Sequence, residues 1–282
     1  MKKILVPCDF SKQAINAYRY ALDIAAQSKG TIHLLHVIEL PVLHDTVLMP
    51  VLNFEEELLK ELKEKSIKEF KKIKDKYSAD GVKVSFDVKF GGVTRMIQDY
   101  IKEKSIDLVI MGSHGASGVR EFLIGSNAEK MVRNSPVPVL VLKDYYKGPI
   151  KKIVFPNTLD TENQEDLLTK LKALQNFFKA HVYIVWVNTP LNFTSDNITL
   201  ARLNKFAKRF MLKDFSIHVF NYSEEERGIL NFTEMVGANL IAMGTHGRKG
   251  VAHVVNGSLA ENVVNHTQKP VWTYSLKEGK VK

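Results

Sequence analysis

A single cysteine, Cys8, leaves no pair from which a disulfide framework could be built, which fits a reducing compartment. No apolar run reaches the ~18 residues that a membrane span needs. The opening stretch Met1-Lys2-Lys3-Ile4-Leu5-Val6-Pro7 has no small-residue cleavage site, so a cytoplasmic location is expected. A G-x-x-x-x-G-K-[ST] loop is missing too, so an ATPase with a lysine on the phosphates is not supported. Histidines at ligand spacing are equally scarce. His33 and His36, three apart on a predicted strand, face opposite sides of a sheet. The 40 Lys and Arg against 31 Asp and Glu give +9, but the charges are dispersed. The densest run, Lys60 to Lys76, mixes Glu with Lys around Leu62, Ile67, Phe70 and Ile73, which describes the wet face of an amphipathic helix. Nucleic acid is therefore not the expected partner.

What the 282 residues do contain is a repeat. Lys2-Lys3-Ile4-Leu5-Val6-Pro7 returns as Lys151-Lys152-Ile153-Val154-Phe155-Pro156. Asp107-Leu108-Val109-Ile110-Met111-Gly112-Ser113-His114-Gly115 returns as Asn239-Leu240-Ile241-Ala242-Met243-Gly244-Thr245-His246-Gly247. The offset falls from 149 to 132 between these blocks, so the second copy is shorter there. The missing stretch lies around Pro41 to Lys60. In each copy short apolar runs alternate with longer helical patterns. The first gives strands near 2–6, 31–37, 82–88, 107–111 and 137–142, with helices near 12–28, 53–77, 93–104 and 126–133. The second gives strands near 151–155, 181–187, 216–221, 239–243 and 270–275, with helices near 161–179, 197–212, 224–236 and 258–265. Runs such as Leu108-Val109-Ile110-Met111, apolar on both faces, argue for a parallel sheet covered by helices. The expected fold is α/β, with two tandem doubly wound, Rossmann-like domains over 1–143 and 150–282, joined by a linker from Lys143 to Pro149.

Ligands of open parallel sheets bind beyond the carboxyl ends of strands, where the strand order reverses. At such ends lie Pro7-Cys8-Asp9-Phe10-Ser11 and Gly112-Ser113-His114-Gly115, the latter followed by nine residues and Gly125-Ser126. The second copy repeats the loop as Gly244-Thr245-His246-Gly247, nine residues, Gly257-Ser258. Glycines let backbone amides approach an anion, and a helix start favours phosphate. Against this, Ser126-Asn127-Ala128-Glu129 and Ser258-Leu259-Ala260-Glu261 are both capping boxes, so each serine has a purely structural use available.

Together, Pro7-Cys8-Asp9-Phe10-Ser11 and the G-x-x-G, nine residues, G-S pattern resemble the universal stress protein family in its tandem-domain form. The resemblance covers nearly the whole chain. It implies two five-stranded parallel sheets and a site for ATP or another adenine nucleotide, with Mg as an optional companion. It places Pro7, Cys8 and Asp9 on base and ribose, and Val37 along the adenine. Met111, Gly112 and Gly115 fall on the ribose and phosphate side, His114 within the same loop, and Gly125, Ser126 and Asn127 on the phosphates. In the second copy Val187, Met243, Gly244, Gly247, Gly257 and Ser258 remain. There Cys8 becomes Asn157, Asp9 becomes Thr158 and Ser11 becomes Asp160, so a carboxylate is lost and weaker binding is expected.

The resemblance also implies that the fifth strands, Val137 to Val141 and Pro270 to Tyr274, pair into a pseudo-dimer within one chain, with a homodimer as a further option. A role as stress-response regulator with an unnamed protein partner follows from it. The competing readings are a nucleotide-independent scaffold, an apolar-ligand or partner site on the insertion from Leu40 to Asn53, or slow ATP hydrolysis. His114, His246 and Glu121 are the only candidate bases near the loops, and none has an evident orienting partner, so dedicated catalysis is not expected.

Overall fold

The computed structural model describes residues 1–39, 52–114, 124–157, 164–246 and 259–276. The first half runs β1 (Lys3–Pro7), α1 (Lys12–Ser28), β2 (Thr31–Ile38), α2 (Leu52–Lys76), β3 (Lys83–Phe90), α3 (Val93–Lys104), β4 (Leu108–Gly112), α4 (Ser126–Asn134) and β5 (Val139–Leu142). The second continues with β6 (Lys152–Pro156), α5 (Glu165–Phe178), β7 (His181–Asn188), α6 (Asp196–Arg209), β8 (Phe215–Asn221), α7 (Glu225–Met235), β9 (Leu240–His246), α8 (Leu259–His266) and β10 (Val271–Leu276).

The sheet order is β3-β2-β1-β4-β5-β10-β9-β6-β7-β8. Each half is thus a doubly wound five-stranded parallel sheet whose order reverses between its first and fourth strands. The halves meet by antiparallel pairing of β5 with β10, Val141 opposite Val271 and Val139 opposite Thr273. The apolar core follows the strand period. Ile4, Val6, Leu108 and Ile110 face one helical layer, while Leu5 and Val109 face the other. Both layers cross the seam without a break: Leu140 shares one with Trp272, and Val139 and Val141 share the other with Val271.

Local chemistry explains the element ends. Ser11 caps α1 by accepting the Ala14 amide, and Lys29 closes it in the left-handed region at φ 51°. β5 begins two residues later than its apolar run suggests because Pro138 has no amide to donate, although its carbonyl accepts from Val109 at 3.0 Å. β9 runs three residues beyond its predicted end, to His246, since β10 lies alongside as far as Leu276. α6 stops at Arg209, short of the predicted 212, where the chain turns left-handed at Met211. The linker packs onto α1. The Tyr145 hydroxyl donates to Asp23 at 2.8 Å, and the Arg19 guanidinium lies 4.1 Å from the Tyr145 ring centre.

α4 and α8 pack against each other under the seam. There Arg133 makes a two-pronged ion pair with Glu261, whose side chain is nearly inaccessible, Nη2 to Oε2 being 2.6 Å. Glu129 adds a second carboxylate to Arg133 at 3.3 Å.

Trp272 is 1% exposed and sits opposite Leu140 at the junction. Trp272→Ala is expected to cost about 3–5 kcal/mol in urea melts of the whole chain. A loss below about 1 kcal/mol, the range of ordinary surface changes, would show that the seam contributes little.

Candidate functional site

The turn after β1 is fixed by three hydrogen bonds and one strained residue. The Cys8 amide donates to Leu35 O at 2.8 Å, and His36 Nδ1 donates to Cys8 O at 2.7 Å. Phe10 follows at φ 65°, a conformation costly for a bulky side chain. Its ring is held against His36 at 4.6 Å and Phe70 at 5.0 Å between centroids. Asp9 Oδ1 accepts the Ser11 amide at 3.1 Å, so the carboxylate is oriented by the same residue that caps α1. Cys8 is buried, and burial pushes its thiol up to about 12, which keeps it protonated and removes it as a nucleophile.

The other wall comes from the end of β4 and the start of α4. A Cβ on Gly112 would stand 2.7 Å from Gln13 Cβ and 2.9 Å from the Gln13 carbonyl carbon. Glycine there lets α1 pass directly over the end of β4, a packing use that the motif alone did not disclose. Gly125 donates its amide to Ser113 O at 2.7 Å and is the N-cap of α4, with no side-chain capping bond. The capping box expected of Ser126 is therefore not formed. Ser126 is already the first helical residue, and its hydroxyl is free of that structural duty.

These elements enclose a cavity of about 290 Å³ beyond the carboxyl ends of β1 and β4. It brings together Pro7, Cys8, Asp9, Val37, Met111, Gly112, His114, Gly125, Ser126 and Asn127; Gly115 lies outside the described residues. The lining combines two chemistries, apolar side chains from Leu35, Val37, Val93, Ile97 and Met111, and polar groups from Asp9, Ser113, His114 and the start of α4. His114 Nδ1 lies 2.8 Å from Ser113 Oγ. No lysine or arginine is among the described lining residues. Leu35, His36, Val93 and Ile97 were missed by sequence reasoning, and Ser113 was read only as a member of the glycine loop. Val93 and Ile97 share a helical face by their spacing of four, but only the fold turns that face toward the cavity.

At the corresponding place in the second half the described residues are tightly packed. Asn157 and Met243 are buried, and Val187 is 6% exposed where its counterpart Val37 is half-buried. A Cβ on Gly228 would come within 2.4 Å of Val187 Cγ1 and 3.1 Å of Tyr222 Cβ, so α7 rests directly on Val187. Hydrogen bonds fold the segment after β7 back upon itself, with Asn188 Oδ1 accepting the Thr194 amide and Asn188 Nδ2 donating to Asn221, both at 2.9 Å. Gly244 sits beneath Leu167, whose Cδ2 would be 2.8 Å from a Cβ there. Thr158, Gly247, Gly257, Ser258, Glu121 and most of the 40–53 insertion lie outside the described residues. His33 and His36 do face opposite sides of the sheet, His33 toward Tyr100 and His36 toward Phe10. No group of three or more His, Cys, Asp or Glu side chains converges as a metal site among the described residues. None of the described helices is long and apolar enough to cross a membrane.

Comparison with known proteins agrees with this architecture. Universal stress protein Slr1230 of Synechocystis is 26% identical over 293 residues, covering 97% of this chain and all of its own length. Universal stress protein MJ0531 of Methanocaldococcus jannaschii is 30% identical over 142 residues, covering 50% of this chain and 82% of its own. The crystal structure of a universal stress protein from Archaeoglobus fulgidus superposes with a TM-score of 0.66 at 20% identity, covering 98% of this chain and 97% of that one, which shows a shared fold. The model of the universal stress protein family matches residues 1–143 and 212–275, and with both halves of the fold in place the chain belongs to that family.

Proposed function

We propose that the chain binds ATP or a related adenine nucleotide in the first-half cavity and acts in the cytoplasm as a stress-response regulator. In this reading residues 1–143 are the nucleotide-binding domain and 150–282 a second domain whose site is altered. The observation that carries it is one cavity whose lining joins apolar side chains, the Asp9 carboxylate and a helix start with no side-chain capping bond. The apolar walls suit an adenine face, and Asp9 suits ribose hydroxyls or an exocyclic amine. The Ser126 and Asn127 amides, Ser126 Oγ and the positive end of α4 suit phosphate. With no cationic side chain in the described lining, these dipoles carry the compensation, and any Mg would be held mainly by the phosphates themselves.

In calorimetric titration of the whole chain, ATP is expected to bind at about one equivalent, with Asp9→Ala weakening it about tenfold through loss of a charge-assisted hydrogen bond. Two equal sites per chain, or no heat at all, would contradict this. Ser126→Ala should weaken ATP by about threefold to tenfold and leave adenosine nearly unchanged. An equal effect on both ligands would place the hydroxyl away from the phosphates.

A further inference from the structure

The phosphate-side helix of the first half is gripped by the second half at both of its ends. At the start, the Ile124 amide donates to Asn265 Oδ1 at 2.5 Å, across 141 residues of sequence. Ile124 immediately precedes Gly125, the N-cap of α4. At the finish, Thr245 Oγ1 donates to Val132 O at 3.0 Å and Ser275 Oγ to Arg133 O at 2.8 Å, occupying carbonyls that the helix leaves unpaired. Asn265 is itself anchored. It is 8% exposed, stands on α8 beside the Arg133–Glu261 pair, and its carbonyl accepts from Lys143 Nζ.

The helix finishes are held from both sides, since Lys143 Nζ caps Asn265 O as Ser275 Oγ caps Arg133 O, and at the start of α4 the hold falls on Asn265. Asn265 lies 132 residues after Arg133, the same offset as the glycine loops, so the two occupy equivalent places. Arg133 spends its guanidinium on Glu261 and Glu129. Asn265 instead presents a short neutral acceptor to the backbone one residue before Gly125, which lines the first-half cavity.

We infer that the second half serves as the positioning element of the first-half site, with Asn265 as the positioning residue that fixes the Ile124–Asn127 backbone for phosphate. This rests on the nucleotide reading above. A backbone held in place before the ligand arrives avoids the ordering cost of binding, and the gain falls on the phosphate end alone. Asn265 touches no ligand in this scheme; it acts through the Ile124 amide.

The test uses the whole chain carrying Asn265→Leu, close to isosteric but without an acceptor. ATP affinity is expected to fall about tenfold while adenosine affinity stays within about twofold. Amide hydrogen exchange at Ile124 to Ala128 should speed up in the ligand-free variant, with β1 and β4 unchanged. Asn265→Asp, which keeps an acceptor, should restore that protection, as a merely space-filling role would not. Equal losses for ATP and adenosine, or unaltered exchange at Ile124 to Ala128, would overturn the inference and leave the nucleotide reading standing. Failure of the unmodified chain to bind any adenine nucleotide would overturn both.

Discussion

Three opposed residue pairs between β5 and β10 join what would otherwise be two separate sheets. A fifth strand with one side unpaired is an invitation to foreign strands. Here each such side is satisfied by the other, leaving β3 and β8 as the edges among the described strands. The seam also sets what lies beneath it. Because Leu140 and Trp272 face one layer while Val141 and Val271 face the other, α4 and α8 are drawn together under the second layer. The half-buried Arg133–Glu261 contact follows from that placement. Such a pair adds little net stability over an apolar substitute, but it penalises any arrangement that leaves either charge alone. Its effect is to fix how the helices register.

Much of this was legible in the residues. The repeated Lys-Lys-Ile run, the strand-length apolar stretches and the two spaced glycine loops predict the tandem doubly wound fold and most element ends within two or three residues. The failures have physical causes. Pro138 shortens β5 because it lacks an amide, and β9 outruns its apolar pattern because β10 supplies a partner for Gly244, Thr245 and His246. Neither fact is visible in a periodicity.

The site was legible in part for a similar reason. Residues marked by unusual chemistry, Pro7, Asp9, Gly112 and Gly125, were found because loops at strand ends stand out. Ordinary apolar residues such as Leu35, Val93 and Ile97 carry no mark of their own and become site residues only when helices are placed. The same holds in reverse for the second half. Its glycine loop is repeated in sequence, yet among the described residues Gly228 lets α7 rest on Val187, and a glycine in a helix is not by itself a signal of such close packing.

The unlike pair Arg133 and Asn265 has a meaning for how such a protein can change. In a dimer of identical chains the interface is isologous, so both positions would be one codon. Asparagine on both sides would discard the guanidinium that Glu261 needs, and arginine on both sides would remove the acceptor for Ile124. Covalent fusion releases that restriction. Once two copies share a chain, each position can take its own residue, through substitutions that a dimer of identical chains could not accept one at a time.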